Sequence, residues 1–246
     1  MHPVVQTIQL QLPPLLRHTL VGIYCYGSLV WGDFDPDISD IDLLVVVRQD
    51  VDKELFDTLD AFHQTLEAQF PDWAGRIEIA YISATALETF KTQRSPISVI
   101  SPGEPFNTKD AGLDWLINWY TIRAQSMVVY GPAAEGVIPA ISIEEFRNAV
   151  RDQIGDWVDW VVQTRDSRPY QAYAILTMCR ALFAVQTGLQ TSKIQAANWA
   201  MEHHPTQCER ITNALRWRER HRDVGEDASL TYPDAVAMVE YAARVR

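Results

Sequence analysis

Residues 21–47, VGIYCYGSLVWGDFDPDISDIDLLVVV, decide the fold of this protein. An apolar segment ends at a Gly27-Ser28 turn, and a polar loop then leads to Asp40 and Asp42 at the start of a second apolar segment. Because side chains alternate along a strand, Asp40 and Asp42 point to the same side. Such a carboxylate pair suits Mg²⁺ that carries phosphates, and the small turn lets backbone N–H groups approach the same phosphates. The pattern predicts phosphoryl or nucleotidyl transfer.

The overall charge argues against a nucleic-acid partner. The chain has 32 acidic and 21 basic residues, a formal net charge of −11, whereas nucleic-acid binders depend on Lys and Arg to contact phosphates. A small polycation would be attracted by this field, although a net acidic surface also serves solubility. We therefore use the charge only to demote nucleic acid as a partner.

The remaining bulk features favour a cytoplasmic protein. No apolar run reaches the roughly 18 residues that a membrane span needs, and the first residues lack the basic segment of a signal peptide. The three cysteines, Cys25, Cys179 and Cys208, are spaced neither as a zinc site nor as a disulfide framework. We expect a reducing compartment, no membrane partner, and a monomer or weak dimer.

Hydrophobic patterns divide the chain near residue 140. The first part combines short apolar runs typical of strands with helical patterns: strands at 21–26, 41–47 and 77–82, a helix at 52–70, an irregular loop at 95–109 and a helix at 114–130. Beyond Gly131-Pro132 only helical patterns remain, beginning with a capping box, Ser142 with Glu145, and continuing at 192–203, 205–221 and 232–246. These patterns predict an α/β domain over residues 1–140 and an all-helical bundle over 141–246.

Three acidic residues are the candidate catalytic centre. Two carboxylates beside a nearly continuous apolar strand are costly to bury unless something pairs with them, and a divalent cation is the natural partner; the alternative is that Asp40 and Asp42 are solvated strand-edge residues. Glu78 interrupts an apolar strand at 77–82. It either faces water from an edge strand, completes a metal site with the two aspartates, or acts as a general base with a raised pKa.

These residues resemble the polymerase-β-type nucleotidyltransferase signature, and more narrowly the aminoglycoside (streptomycin/spectinomycin) adenylyltransferases. The resemblance extends over nearly the whole chain and in the same order. It rests on Tyr26-Gly27-Ser28, Ser39-Asp40-Ile41-Asp42-Leu43-Leu44-Val45, Val129-Tyr130-Gly131-Pro132-Ala133-Ala134-Glu135, Leu176-Thr177-Met178-Cys179-Arg180, Thr187-Gly188, and Lys193 with Asn198-Trp199-Ala200-Met201-Glu202.

The resemblance implies a mixed-sheet nucleotidyltransferase domain with a helical C-terminal domain, and an enzyme of antibiotic resistance that uses ATP and Mg²⁺. It implies that Asp40 and Asp42 hold Mg²⁺, with Glu78 as base or further ligand. Phosphates would be bound by Gly27, Ser28, Ser39, Arg180 and Lys193, and a cationic acceptor by Asp166. Read without the resemblance, Arg180 is an interhelical salt-bridge residue and Lys193 a surface residue.

Two segments depart from the family pattern. In Asp166-Ser167-Arg168-Pro169-Tyr170, Tyr170 stands where a second carboxylate is expected and Arg168 adds positive charge. Pro105 follows Gly103-Glu104 where the family has tryptophan. The sequence therefore predicts transfer of AMP to a small acceptor, most simply an aminoglycoside or aminocyclitol. The alternatives are nucleotidylation of a protein, or a non-catalytic nucleotide sensor.

Overall fold

The computed structural model describes residues 1–219 and 227–246, and the chain divides into two compact units. The first unit comprises Met1–Asp35 and Ser39–Ile141, and the second comprises Pro36–Ile38 and Ser142–Arg246. In the described part of the chain, no helix has the length and apolar character needed to cross a membrane.

A six-stranded mixed sheet forms the centre of the first unit, in the order β5-β4-β3-β2-β1-β6. The pair β2–β3 is parallel, and every other neighbouring pair is antiparallel. The mixed sheet expected from the resemblance is thus confirmed. The strands are β1 (Leu20–Tyr26), β2 (Ile41–Val47), β3 (Ile77–Ser83), β4 (Ser95–Ser101), β5 (Glu104–Ala111) and β6 (Met127–Tyr130).

The helices of the first unit pack their apolar side chains against this sheet. A parallel strand pair needs a crossover connection, and the amphipathic helix between β2 and β3 provides it. Its buried side chains and those of the N-terminal helix join the strands in one core. The helices are α1 (Pro3–Leu16), α2 (Ser28–Trp31), α3 (Lys53–Gln69), α4 (Ala84–Thr89) and α5 (Leu116–Gln125).

The strands predicted at 21–26, 41–47 and 77–82 and the helix at 52–70 are confirmed, but two predictions are wrong. Residues 95–109 form most of the β4–β5 hairpin instead of an irregular loop. Its Pro102-Gly103 turn places Gly103 at φ +80°, the conformation that the third position of a type II turn requires. The helix predicted at 114–130 ends at Gln125, and Met127–Tyr130 pairs with β1 instead.

The second unit is helical, as predicted. Ser142 and Glu145 form the expected capping box, and Gly188 ends the longest helix in the left-handed conformation, φ +74°. The helix predicted at 205–221 begins at Cys208 after a short 3₁₀ turn, and residues 220 and 221 lie outside the described residues. The helices are α6 (Ile143–Trp160), α7 (Arg168–Thr187), α8 (Lys193–His203), α9 (Cys208–Glu219) and α10 (Tyr232–Val245).

Candidate active site

Asp42 and Glu78 are paired across the parallel strands β2 and β3. Both strands are buried at every position except the second, and these two second positions are Asp42 and Glu78. Directly paired residues on neighbouring strands, about 4.8 Å apart, project from the same face of a sheet. The sheet register therefore brings together two of the three carboxylates that the sequence singles out. Asp42 and Glu78 are called the carboxylate row below.

Tyr26 extends this row onto the next strand, where it is paired with Asp42. Burial raises the pKa of the Tyr26 phenol well above its ordinary value, and the negative charges of Glu78 and Asp42 raise it further. Tyr26 is therefore a neutral hydrogen-bonding group beside two acids. In the sequence, Tyr26 stands out only as part of the turn motif. The signal for a place in the site is its position as the last residue of β1.

The environment of Glu78 raises the pKa of its carboxyl group. Burial is the largest cause, followed by the negative charge of Asp40, which ends the loop before β2. Lys109 on β5 lowers this pKa and Glu104 raises it, and these two residues form an ion pair of 2.5 Å with each other. A carboxylate of raised pKa beside other acids is suited to take a proton near neutral pH.

Gly27 places the backbone of the turn directly against Asp42. Its φ of +74° and ψ of −149° belong to a region that is essentially restricted to glycine. A Cβ at this position would overlap Oδ2 of Asp42 and would lie 3.2 Å from its Cγ. Ser28 follows as the first residue of α2. The Gly27-Ser28 turn thus meets the carboxylate row, as the sequence pattern predicts, and residue 27 must be glycine.

Ser39 closes the loop that leads to Asp40. Its side chain is buried; its Oγ accepts a hydrogen bond from the Asp35 N–H (3.0 Å), and its own N–H donates to the Asp35 carbonyl (2.8 Å). The hydroxyl of Ser39 therefore holds the loop together. Its further role as a phosphate ligand stays a prediction.

The donor set fits a magnesium ion held jointly with phosphates. Within the described ranges, no three or more His, Cys, Asp or Glu side chains converge to hold a metal ion by themselves. The role of Glu78 as a third metal ligand beside Asp40 and Asp42 stays a prediction. Mg²⁺ is usually bound by one or two carboxylates together with substrate phosphates and water. Asp40 and Asp42 suit that arrangement, which leaves Glu78 as the candidate base.

The other predicted residues lie in the second unit. Asp166 is exposed in the turn before α7, and Arg180 is half-buried within α7. Lys193 begins α8, and its Nζ lies 4.8 Å from the centroid of the Tyr173 ring. Their roles toward the nucleotide or the acceptor stay predictions.

Of the two segments that depart from the family pattern, residues 166–170 have an aromatic environment. Tyr170 lies 6.2 Å from Trp157 and 5.8 Å from Tyr173, measured between ring centroids. The Arg168 guanidinium lies 5.6 Å from the Trp217 ring. At Tyr170, rings therefore surround the position where the resemblance expects a second carboxylate.

Comparison with known proteins assigns both parts of the chain. A model of the nucleotidyltransferase domain matches residues 15–89, and a model of the aminoglycoside adenylyltransferase C-terminal domain matches residues 136–244. The aminoglycoside (3'') (9) adenylyltransferase of Klebsiella pneumoniae is 26% identical over 208 residues, covering 78% of this chain and 75% of the relative. Spectinomycin 9-adenylyltransferase of Staphylococcus aureus is 24% identical over 249 residues, covering 96% and 91%.

A solved structure has the same fold. It is spectinomycin adenyltransferase AAD(9) from Enterococcus faecialis, crystallised with ATP and spectinomycin; the TM-score is 0.73 at 21% identity, covering 96% of this chain and 98% of that one. The matched domain and the adenylyltransferase relatives identify a nucleotidyltransferase. Residues 136–244 match the C-terminal domain of aminoglycoside adenylyltransferases and the curated relatives are enzymes of that kind, so the resemblance seen in the sequence is confirmed.

Proposed function

We propose that this protein transfers AMP from Mg²⁺-ATP to a hydroxyl group of an aminoglycoside or aminocyclitol. The observation that carries the proposal is the pairing of Asp42 with Glu78 beside the Gly27 turn. It sets a carboxylate suited to Mg²⁺-bound phosphates next to a carboxylate suited to proton removal. The relatives named for aminoglycoside or spectinomycin adenylylation support the acceptor class.

The reaction follows from these positions. Glu78 takes the proton of the acceptor hydroxyl, whose oxygen attacks the α-phosphorus of ATP while the bond to the pyrophosphate oxygen breaks. Asp40 and Asp42 would hold the Mg²⁺ ion that accompanies the triphosphate. When bound, Mg²⁺ neutralises charge that builds up on the phosphate oxygens. Arg180 and Lys193 would neutralise further phosphate charge, and Asp166 would bind a cationic group of the acceptor.

Pyrophosphate release from Mg²⁺-ATP, with spectinomycin, streptomycin or neither, tests the proposal. We expect release that depends on one of the two compounds and stops when EDTA removes the metal. Glu78→Gln should lower kcat by about a hundredfold to ten-thousandfold, the contribution of a general base, and Asp42→Asn should abolish release. Glu88→Gln and Asp57→Asn are controls, because both residues lie outside the carboxylate row in the same unit.

Two results would contradict the proposal. If Asp42→Asn retained full activity, the carboxylate row would not be the catalytic centre. If neither compound supported release, while labelled ATP marked a protein band in a cell lysate, the acceptor would be a protein. The departures at Arg168, Tyr170 and Pro105 make this second comparison necessary.

A further inference from the structure

Arg76 contacts the backbone on both sides of Asp40. Its Nη2 donates a hydrogen bond to the carbonyl oxygen of Ser39 (2.5 Å), and its own carbonyl oxygen accepts one from the Ile41 N–H (3.0 Å). A single residue at the entrance to β3 thus fixes the peptide groups that precede and follow Asp40. We propose that Arg76 is a positioning residue that sets the direction of the Asp40 carboxylate, an inference that rests on the proposed function.

The guanidinium group of Arg76 is itself held by an aromatic cluster. It lies 4.5 Å from the Trp73 ring centroid, and that ring stacks on Phe34 at 5.6 Å, with His2 edge-on at 4.6 Å. Stacking on an aromatic face restricts a guanidinium while leaving its N–H groups available to donate. The donor to Ser39 is therefore oriented before any ligand binds.

The backbone around Arg76 is fixed as well. Its N–H donates to the Trp73 carbonyl (3.0 Å), and the neighbouring Gly75 N–H donates to Oε1 of Glu67 on α3 (3.0 Å). The Ser39 side of the contact is equally restrained, because Ser39 makes two hydrogen bonds to Asp35. The Arg76–Ser39 contact therefore joins two rigid segments.

This arrangement bears on function because Asp40 precedes β2 and lacks the ladder pairing that fixes Asp42. Its backbone is held by the loop and by the two contacts of Arg76. Loss of the Arg76 donor would leave the Ser39 carbonyl without this hydrogen bond and would loosen the peptide before Asp40. A hydrogen bond from a charged group is worth about a factor of ten or more in stability, and because this one is present with and without ligand, only part of that factor should appear as affinity: we expect the affinity for Mg²⁺-ATP to fall by up to roughly tenfold.

The test compares Arg76→Met with Arg48→Met. Arg48 follows the opposite end of β2, and its Nε likewise donates to a backbone carbonyl, that of His18 (2.8 Å). Binding of ATP is measured by calorimetry with and without Mg²⁺, and amide hydrogen exchange of residues 35–45 is measured in the metal-free protein. We expect Arg76→Met to weaken Mg²⁺-dependent binding measurably, by up to roughly tenfold, and to speed exchange locally, and Arg48→Met to do neither.

A conservative variant separates positioning from a general structural role. Arg76→Lys retains the positive charge and one donor, so it should recover part of the lost affinity with a melting temperature close to that of Arg76→Met. Trp73→Leu, which removes the ring beneath the guanidinium, should also weaken the binding of Mg²⁺-ATP. If Arg76→Met does not fold, the Trp73→Leu variant tests the same inference.

Asp40→Asn distinguishes a failure of the proposed function from a failure of the role inferred for Arg76. If Asp40→Asn leaves Mg²⁺-dependent ATP binding unchanged, the proposed function of the carboxylates is wrong. If Asp40→Asn abolishes that binding while Arg76→Met behaves like Arg48→Met, the carboxylates act as proposed and the inference about Arg76 is overturned. Equal loss in Arg76→Met and Arg48→Met would also overturn it, because the effect would then not be specific to Asp40.

Discussion

Asp42 on β2 and Glu78 on β3 are direct partners in a parallel register, and each is the one half-buried position of its strand. Parallel neighbours keep this register only if the whole strand pair is aligned, because a shift by one residue would turn either side chain to the opposite face. The relative position of the two acids is thus fixed by the core of the first unit rather than by a loop.

Substitution of Gly27 by alanine should damage the site more than the same substitution at Gly32. Both glycines have positive φ, +74° and +81°, so both variants carry backbone strain of about 1–3 kcal/mol. Only the Cβ at position 27 meets another group, the Asp42 carboxylate; position 32 has no atom within 4 Å. The loss of unfolding free energy from the backbone should be larger at position 27, whose φ and ψ belong to a region essentially restricted to glycine, than at position 32, which is in the left-handed helical region.

Pyrophosphate release distinguishes the two glycine variants. Gly27→Ala should lower it by at least roughly a hundredfold, about 2.7 kcal/mol of lost transition-state stabilisation, because the carboxylate must move away from the turn. Gly32→Ala should lower it by less than roughly threefold. Equal effects in the two variants would mean that the contact between the Gly27 turn and Asp42 is unimportant.

The acid limb of the pH–rate profile should respond to charge on the β4–β5 hairpin. With Glu78 as the proposed base, transfer requires its ionised form, so the rate should fall as pH drops through the pKa of this carboxyl group, which lies above its ordinary value of 4.5. Lys109 lowers that pKa and Glu104 raises it. Lys109→Met should therefore move the acid limb to higher pH, and Glu104→Gln should move it to lower pH.

The control for this prediction is Lys53→Met. Lys53 also pairs with a carboxylate, Asp57 at 2.8 Å, but on the exposed surface of α3. Its loss should leave the acid limb in place. Movement of the limb in the same direction for Lys109→Met and Glu104→Gln would contradict the assignment of Glu78 as the titrating base.

His63 should make the first unit less stable in acid. The imidazole is buried, its Nε2 lies 3.1 Å from the Tyr81 hydroxyl, and its ring centroid is 4.9 Å from that of Phe106. Burial lowers its pKa from 6.5 to about 4. Between these values the unfolded chain binds a proton that the folded protein does not, so stability is present above pH 6.5 and is lost as pH falls toward 4.

Urea unfolding at pH 7 and pH 5 measures the contribution of His63. The free energy of unfolding should fall by about 2 kcal/mol over this interval on account of this residue. His63→Phe removes the titration, so its stability should change less between the two pH values even though it loses the hydrogen bond to Tyr81. Equal pH dependence in the two proteins would show that another group is responsible.

Cys208 should be the first thiol to react in the native protein. Cys25 and Cys179 are buried, and burial raises the pKa of each thiol to about 12, so neither is accessible as thiolate. Cys208 is half-buried near the start of α9. Brief treatment with a maleimide followed by peptide mass analysis should find the label at Cys208. Labelling of all three at equal rates would require unfolding.

The sequence was most informative where hydrophobic pattern and chemistry coincide. Asp42 and Glu78 are single polar interruptions of buried strands, and that pattern suffices to predict both strands and the acidic pair. The sequence places Tyr26 at the end of a strand, but its pairing with Asp42 depends on the register of the sheet and is not visible in the local sequence.

The β4–β5 hairpin was less predictable for a physical reason. Pro96, Pro102 and Gly103 read as loop residues, yet Pro102-Gly103 forms the hairpin turn and exposed Pro96 stands near the start of its strand, where a missing N–H is tolerated. Since its sequence predicts a loop, nothing in it places the charges of Glu104 and Lys109 near Glu78. The Arg76–Ser39 contact also depends on tertiary structure, since its two residues are distant in sequence.

The crossover helix α3 has a consequence for the folding equilibrium. It connects the strands that carry Asp42 and Glu78. Neither the register of β2 and β3 nor the carboxylate row therefore exists in a chain in which α3 has not yet brought the two strands together. A nucleotide that needs this row binds the native state and has no counterpart site in the unfolded chain. By mass action, Mg²⁺-ATP at a hundred times its Kd should then add about 2.7 kcal/mol to the free energy of unfolding, so a cell rich in ATP would keep this protein folded as well as supplied with substrate.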